Sequence, residues 1–210
     1  MVQPVPEFGT ILEDRATLAR GLGLAASDLS DSLPAQIVSA GVEFLLVPLA
    51  SRTAVDSITF NRSSLQGLFE AAGSPERGVV TFAPEPARGD GPGAYTRMVA
   101  PCLGVSEDPA TGGASGPLGA YPFRYHLVTA TQATRMVSIQ GAKMGRPSRI
   151  TISLATAEDS IQRVGVGGGA VLAGEGSLAC SQAQVGLFCG EGRATILFQK
   201  SFDFFTRRLP

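Results

Sequence analysis

In the second half of the chain only one stretch, residues 113–127, is free to form a long helix, and everything around it runs in strands. GVVTFAPE (78–85), YTRMVAP (95–101), TRMVSIQG (134–141), SRITISLA (148–155) and the glycine-laden QRVGVGGGAVLAGEG (162–176) read as strands. In SRITISLA, Ile150, Ile152 and Leu154 alternate with Arg149, Thr151 and Ser153, as in a strand with one face on a core and one in water. Many strands with one helix to cover them predict an α+β fold, a curved and mostly antiparallel sheet wrapped around a central helix.

The first half carries its own punctuation. In VQPVPEFGTILEDRATLARGLGL a proline-interrupted strand leads to a helix that opens on Glu13 and Asp14, with Leu12, Ala16, Ala19 and Leu22 as its expected buried stripe. AQIVSAGVEFLLVPL reads as a hairpin hinged at Ser39, Ala40 and Gly41. NRSSLQGLFEAAG is a helix with Asn61 as N-cap, Leu65, Leu68, Phe69 and Ala72 on one face, and Gly73 as its stop. Asn61, Arg62 and Ser63 also fit a glycosylation pattern, which this helix start explains better. EPARGDGPGA, residues 85–94, reads as a mobile surface loop.

Charge and cysteine usage narrow the partners. Seventeen basic and eighteen acidic side chains give a net charge of −1 without like-charge runs, so nucleic acid and anionic membrane are not expected partners. FLLVPLA, among the longest apolar runs, is far shorter than the roughly 20 residues that cross a bilayer, and no basic-then-apolar signal opens the chain. A cytoplasmic protein is expected. Cys102, Cys180 and Cys189 form no CxxC pair and, with His126 as the single histidine, make no metal site, so they are read as reduced thiols.

GVSEDPATGGASGPLGAY, residues 104–121, sets two carboxylates, a proline and glycines ahead of the expected helix. A glycine-rich turn feeding a helix N-terminus presents unpaired N–H groups and the positive end of the helix dipole, which suits a carboxylate or phosphate. Spacing alone is equally met by an ordinary capped helix, with Asp108 as a loop acceptor.

RMVAPCLGVSEDPATGGASGPLGAY resembles the signature of the phenazine-biosynthesis PhzF-like family, R-x-F-A-P-x-x-G-V-x-E-D-P-A-T-G-S-A. QPVPEFGTILEDRATLARGLGL (3–24), IQGAKMGRPSRITI (139–152) and VGVGGGAVLAGEGSL (164–178) are similar to the same family, in the same order. The resemblance implies the diaminopimelate epimerase-like fold, two similar domains with a cleft between them, cofactor-free isomerisation of a small carboxylate by proton transfer, and a homodimer. It implies a catalytic Asp108 and a substrate-holding loop with Thr111, Gly112, Gly113 and Ser115. It also divides the chain into a first-domain remnant at 1–33, a second domain at 34–178 and a divergent tail at 179–210.

The departures bear on activity. Gly113 stands where the family has serine, leaving Ser115 as the hydroxyl that would substitute. The family's S-E-T glutamate and G-H-x-T histidine have no counterpart, and His126, in RYHL, is expected to be a satisfied residue at the end of the central helix. Pro122 is expected to shorten that helix. The leading expectation is a PhzF-like isomerase, incomplete in this chain. The alternative is a catalytically silent carboxylate-binding or interaction module of the same fold. A two-thiol epimerase is disfavoured because 107–116 has no cysteine, and a nucleotide site at GVGGGA because no helix or Walker lysine follows.

Overall fold

Residues 44–48, FLLVP, are buried without polar alternation because both faces of their strand are covered. The computed structural model describes residues 1–71, 73–89 and 91–169. In chain order these form β1 (Val2–Gln3), β2 (Glu7–Leu12), α1 (Arg15–Gly21), β3 (Ala35–Ser39), β4 (Glu43–Pro48), α2 (Arg52–Ser57), α3 (Arg62–Ala71), β5 (Gly78–Arg88), β6 (Gly91–Ala100), β7 (Val105–Asp108), α4 (Gly112–Arg124), α5 (Ala130–Ala133), β8 (Met136–Gln140), β9 (Ser148–Ala157) and β10 (Ser160–Gly168). Met1–Gly168 make one compact unit, to which the first 33 residues contribute β1, β2 and α1.

One sheet runs β1-β10-β9-β8-β6-β5-β4-β3-β2, with β7 paired to β6 off that path. It curls as a half-barrel around α4. Most neighbours are antiparallel, as expected, but β4–β5 and β6–β8 are parallel, so the sheet is mixed. The parallel joints fall where helices intervene: α2 and α3 connect β4 to β5, while α4 and α5 lie between β6 and β8. Such crossovers return the chain in the same direction, which a tight turn cannot do.

Side-chain alternation sorts the core onto the two faces. Leu45, Val47, Val79, Val99 and Tyr95 join Leu18, Leu22, Leu65, Leu68 and Phe69 of the α1–α3 layer. Phe44, Leu46, Val80, Phe82 and Met98 join Ala114, Leu118 and Tyr121 of α4, together with Ile150, Ile152, Leu154, Val164 and Val166. The face that closes on α4 is thus built from both ends of the sheet. Tyr121 is wholly buried there, edge-on to Phe82 at 5.3 Å, with its hydroxyl donated to the Pro34 carbonyl.

Several local expectations hold for local reasons. Gly41, at φ +100°, turns the β3–β4 hairpin. Asn61 Oδ1 accepts from the Ser64 amide at 3.2 Å, and Gly73, at φ +61°, ends α3; Ala72 lies outside the described residues. Others need correction. The buried stripe of α1 is Leu18, Ala19 and Leu22; Ala16 is exposed, and Leu12 belongs to β2. Most of 85–94 is strand, because β5 runs to Arg88 and β6 begins at Gly91, whose φ of +95° makes the turn. Pro122 does not stop α4, which continues to Arg124. The closure follows it: the Leu127 amide donates to the Pro122 carbonyl at 2.8 Å and the His126 amide to Phe123 at 3.1 Å. His126 is exposed in a left-handed conformation there, at the end of the helix as expected. Cys180, Cys189 and the tail 179–210 lie outside the described residues.

Candidate active site

β7 ends at Asp108, paired opposite Met98 of β6, and four residues later α4 begins. The Asp108 carboxylate is held at both oxygens. Oδ1 accepts from the Ala110 amide at 3.2 Å, and Oδ2 accepts from the Thr111 hydroxyl at 2.6 Å. This is the local turn that a short carboxylate forms with its own following backbone. The loop acceptor foreseen from spacing is therefore present, whatever else Asp108 does.

Two buried glutamines from distant strands clamp the loop. Gln140, at the end of β8, donates Nε2 to the Asp108 carbonyl at 2.6 Å and to Thr111 Oγ1 at 2.9 Å, and its Oε1 accepts from the Thr111 amide at 3.3 Å. Gly141 follows at φ +75°, where a Cβ would stand 2.8 Å from Pro109 Cα, so only glycine lets this turn pass against the loop. Gln3 of β1 donates Nε2 to the Gly112 carbonyl at 2.8 Å and reaches the Gly113 carbonyl at 3.5 Å. The Gly113 carbonyl needs such a donor because residue 117, four positions on, is proline and has no N–H to give.

Beneath the loop Glu107 is committed to structure. It pairs with Arg97 through Nε to Oε1 at 2.9 Å and a terminal nitrogen to Oε2 at 2.8 Å. The other guanidinium nitrogen caps the end of α2, donating to the carbonyls of Val55, Asp56 and Ile58 at 3.1–3.4 Å. Of the two acids in EDP, Glu107 is thus paired with an arginine, while Asp108 is held by its own loop.

The remaining site residues divide by position. Gly112 is buried in the first turn of α4. Gly113 is half-buried, and a Cβ there would sit 3.8 Å from the Phe44 ring, an ordinary contact that leaves room for a side chain. Ser115 is buried one turn into α4, and its hydroxyl donates to the Thr111 carbonyl at 2.8 Å, so it braces the loop from inside. The amides of Gly112, Gly113 and Ala114 have no acceptor among the described residues, and they lie at the positive end of a 13-residue helix. His126 is at the other end of α4, roughly 20 Å away at the usual rise per residue. Among the described residues no cluster of three or more His, Cys, Asp or Glu side chains could hold a metal ion.

Arg97, Gln140 and Gln3 went unassigned in the sequence, although R-M-V-A-P and I-Q-G lie inside the blocks that carry the resemblance. Two cavities among the described residues lie elsewhere. One, of about 110 Å³, is beneath the C-terminal half of α4 against Met136 and Ile152. The other, of about 340 Å³, lies beside α1 and the β3–β4 pair.

A curled α+β half-barrel that presents a glycine-rich acidic loop at the N-terminus of its central helix defines a class, that of the phenazine-biosynthesis and diaminopimelate epimerase-like proteins. The chain belongs to the phenazine biosynthesis-like protein family, whose pattern it matches over residues 1–176. It is 27% identical over 173 residues to an uncharacterized isomerase of Escherichia coli, an alignment covering 81% of this chain and 57% of that protein. It is 30% identical to the trans-2,3-dihydro-3-hydroxyanthranilate isomerase of Pseudomonas aeruginosa, covering 84% of this chain and 57% of that one. A predicted epimerase from Pseudomonas aeruginosa superposes with a TM-score of 0.60 at 31% identity, over 80% of this chain and 54% of that one. The Bacillus anthracis PhzF-family protein superposes with a TM-score of 0.65 at 22% identity, over 79% and 55%, and shows the shared fold. The chain thus spans a little over half the length of the curated relatives it matches. No helix among the described residues is long and apolar enough to cross a membrane.

Proposed function

We propose that this chain supplies the Asp108-bearing half of an isomerase site that binds a small carboxylate at the N-terminus of α4 and moves a proton on it. The observation that carries this reading is the Asp108 carboxylate, fixed by the Ala110 amide and Thr111 hydroxyl ahead of the Gly112, Gly113 and Ala114 amides, which have no acceptor among the described residues. Those amides and the helix dipole suit the substrate's own carboxylate, with charge-assisted hydrogen bonds of about 1.5–3 kcal/mol each before desolvation. Asp108 is then placed as one of the two groups that proton transfer needs, and a second titratable group completes it. The dihydro-hydroxyanthranilate isomerases among the relatives support the reaction type. Assembly as a homodimer belongs to the same reading.

Deuterium incorporation from heavy water into a dihydro-hydroxyanthranilate-type substrate tests it. The chain alone should not exchange, exchange should appear on joining an N-terminal half that carries S-E-T and G-H-x-T segments, and Asp108→Asn should abolish it. Exchange that survives Asp108→Asn would remove Asp108 from the reaction.

A second reading rests on Glu107, whose commitment to Arg97 leaves a single carboxylate on the loop. Such a loop holds an anion without turning it over, as a catalytically silent module would. Calorimetric titration with anthranilate separates the two: binding by this chain, with no exchange even after the other half is supplied, favours the module. In either case Gly112→Val should abolish binding by blocking close approach.

A further inference from the structure

We propose that Gln140 is the positioning residue of the Asp108 loop, setting the direction of the Thr111 hydroxyl proton and through it the orientation of the Asp108 carboxylate. The argument is one of counting protons. Gln140 is 3% exposed, and its amide nitrogen has two protons to give, one directed to the Asp108 carbonyl at 2.6 Å and one to Thr111 Oγ1 at 2.9 Å. Turning the amide over would set its oxygen against the Asp108 carbonyl oxygen at that same distance, acceptor against acceptor, so the orientation is determined. Its oxygen, in turn, is where the Thr111 amide donates, at 3.3 Å.

Thr111 Oγ1 therefore receives a proton from Gln140, and its own single proton must go elsewhere. The acceptor in reach is Asp108 Oδ2 at 2.6 Å. The chain of donors runs one way, from Gln140 to Thr111 to Asp108, and ends on a carboxylate oxygen that accepts. The Ala110 amide occupies Oδ1, so the carboxylate is pinned at two points to one orientation at the mouth of α4. Gln140 reaches this loop from β8, 32 residues beyond Asp108, so the loop's polarity is dictated by the sheet. Its catalytic meaning rests on Asp108 being the reacting carboxylate, as proposed above, whereas the polarity itself can be read in the ligand-free chain.

The discriminating variant is Gln140→Glu, which keeps the shape and places an acceptor where the donor stood. The Thr111 hydroxyl should then turn to the introduced carboxylate and abandon Asp108. In the ligand-free full chain, the Asp108 carboxyl carbon resonance and its side-chain couplings should change in Gln140→Glu as they do in Thr111→Val, with Gln140→Met as a third arm. Thr111→Ser, which keeps the hydroxyl, should retain the wild-type signals. In anthranilate titrations Gln140→Glu and Thr111→Val should each weaken affinity about tenfold, and the double variant no further, because both break one relay. Unmoved Asp108 signals in Gln140→Glu, or multiplicative losses in the double variant, would overturn the proposal. If wild-type chain fails to bind anthranilate while the Asp108 signals move as stated, the positioning role stands and the carboxylate-site reading falls.

Discussion

Arg97 and Glu107 face each other in a two-point ion pair, with nitrogen–oxygen distances of 2.9 and 2.8 Å, one residue below Asp108. The pair ties β7 to β6 while the rest of the guanidinium closes the end of α2, so one buried side chain links a helix end to the candidate site.

Removing the cation should cost more than any surface charge would. Arg97→Met strands Glu107 and uncaps three carbonyls, and loss of one partner of a buried pair typically costs about 3–5 kcal/mol. Arg97→Lys should recover only part, since an ammonium cannot make the two-point contact. Urea unfolding measures both, and a loss below about 1 kcal/mol for Arg97→Met would show the pair to be dispensable.

The glycines of α4 should answer differently to the same substitution. A Cβ at Gly119 would stand 2.3 Å from Ile152 Cγ2, and one at Gly113 only 3.8 Å from the Phe44 ring. Gly119→Ala is expected to destabilise by about 1–3 kcal/mol through overpacking. Gly113→Ala should be neutral or stabilise by up to about 1 kcal/mol. Gly113→Ser, equally tolerated, should strengthen anthranilate binding by placing a hydroxyl beside the Asp108 loop. Thermal melts and calorimetry check the three.

Gln3 and Pro117 should be energetically coupled. Gln3→Leu removes the donor that reaches the Gly112 and Gly113 carbonyls, an expected loss of about 1–2 kcal/mol. In a Pro117→Ala background the helix regains its own N–H for Gly113, and the loss should shrink. Equal losses in both backgrounds, read from denaturant melts, would show that Gln3 is not compensating for the proline.

The three tyrosines should ionise late. Burial, then the hydrogen bond to Asp56 at 2.8 Å and that residue's charge, push Tyr95 up to about 12. Burial also raises Tyr121 and Tyr125. An unfolded phenol ionises near pH 10. The folded state thus keeps protons that the unfolded state releases. The Tyr95 contribution to stability is whole below about pH 10 and is lost as pH rises through about 12. At pH 10 ultraviolet phenolate absorbance should be lower in the native chain than in urea, where it is about half-developed. Tyr95→Phe should flatten the alkaline decline of stability across that window.

Whatever depends on neighbours along the chain could be read from the residues alone. The hinge at Gly41, the cap at Asn61 and stop at Gly73, the alternation through Ile150, Ile152 and Leu154, and an acidic glycine loop ahead of one central helix all follow from local backbone preferences and period. Tertiary structure decided the rest. Leu18 faces the core where Ala16 was expected because α3 packs on that side of α1, and residues 85–94 are mostly strand because β5 and β6 continue to pair. Two joints of the sheet are parallel because helices carry the chain back across it. At the site, Arg97 meets α2 carbonyls as many as 42 residues away, Gln140 meets Thr111 29 residues away, and Gln3 meets Gly112 109 residues away. A glutamine or arginine in sequence carries only donors and acceptors, and what they hold depends on which distant backbone the fold leaves without a partner.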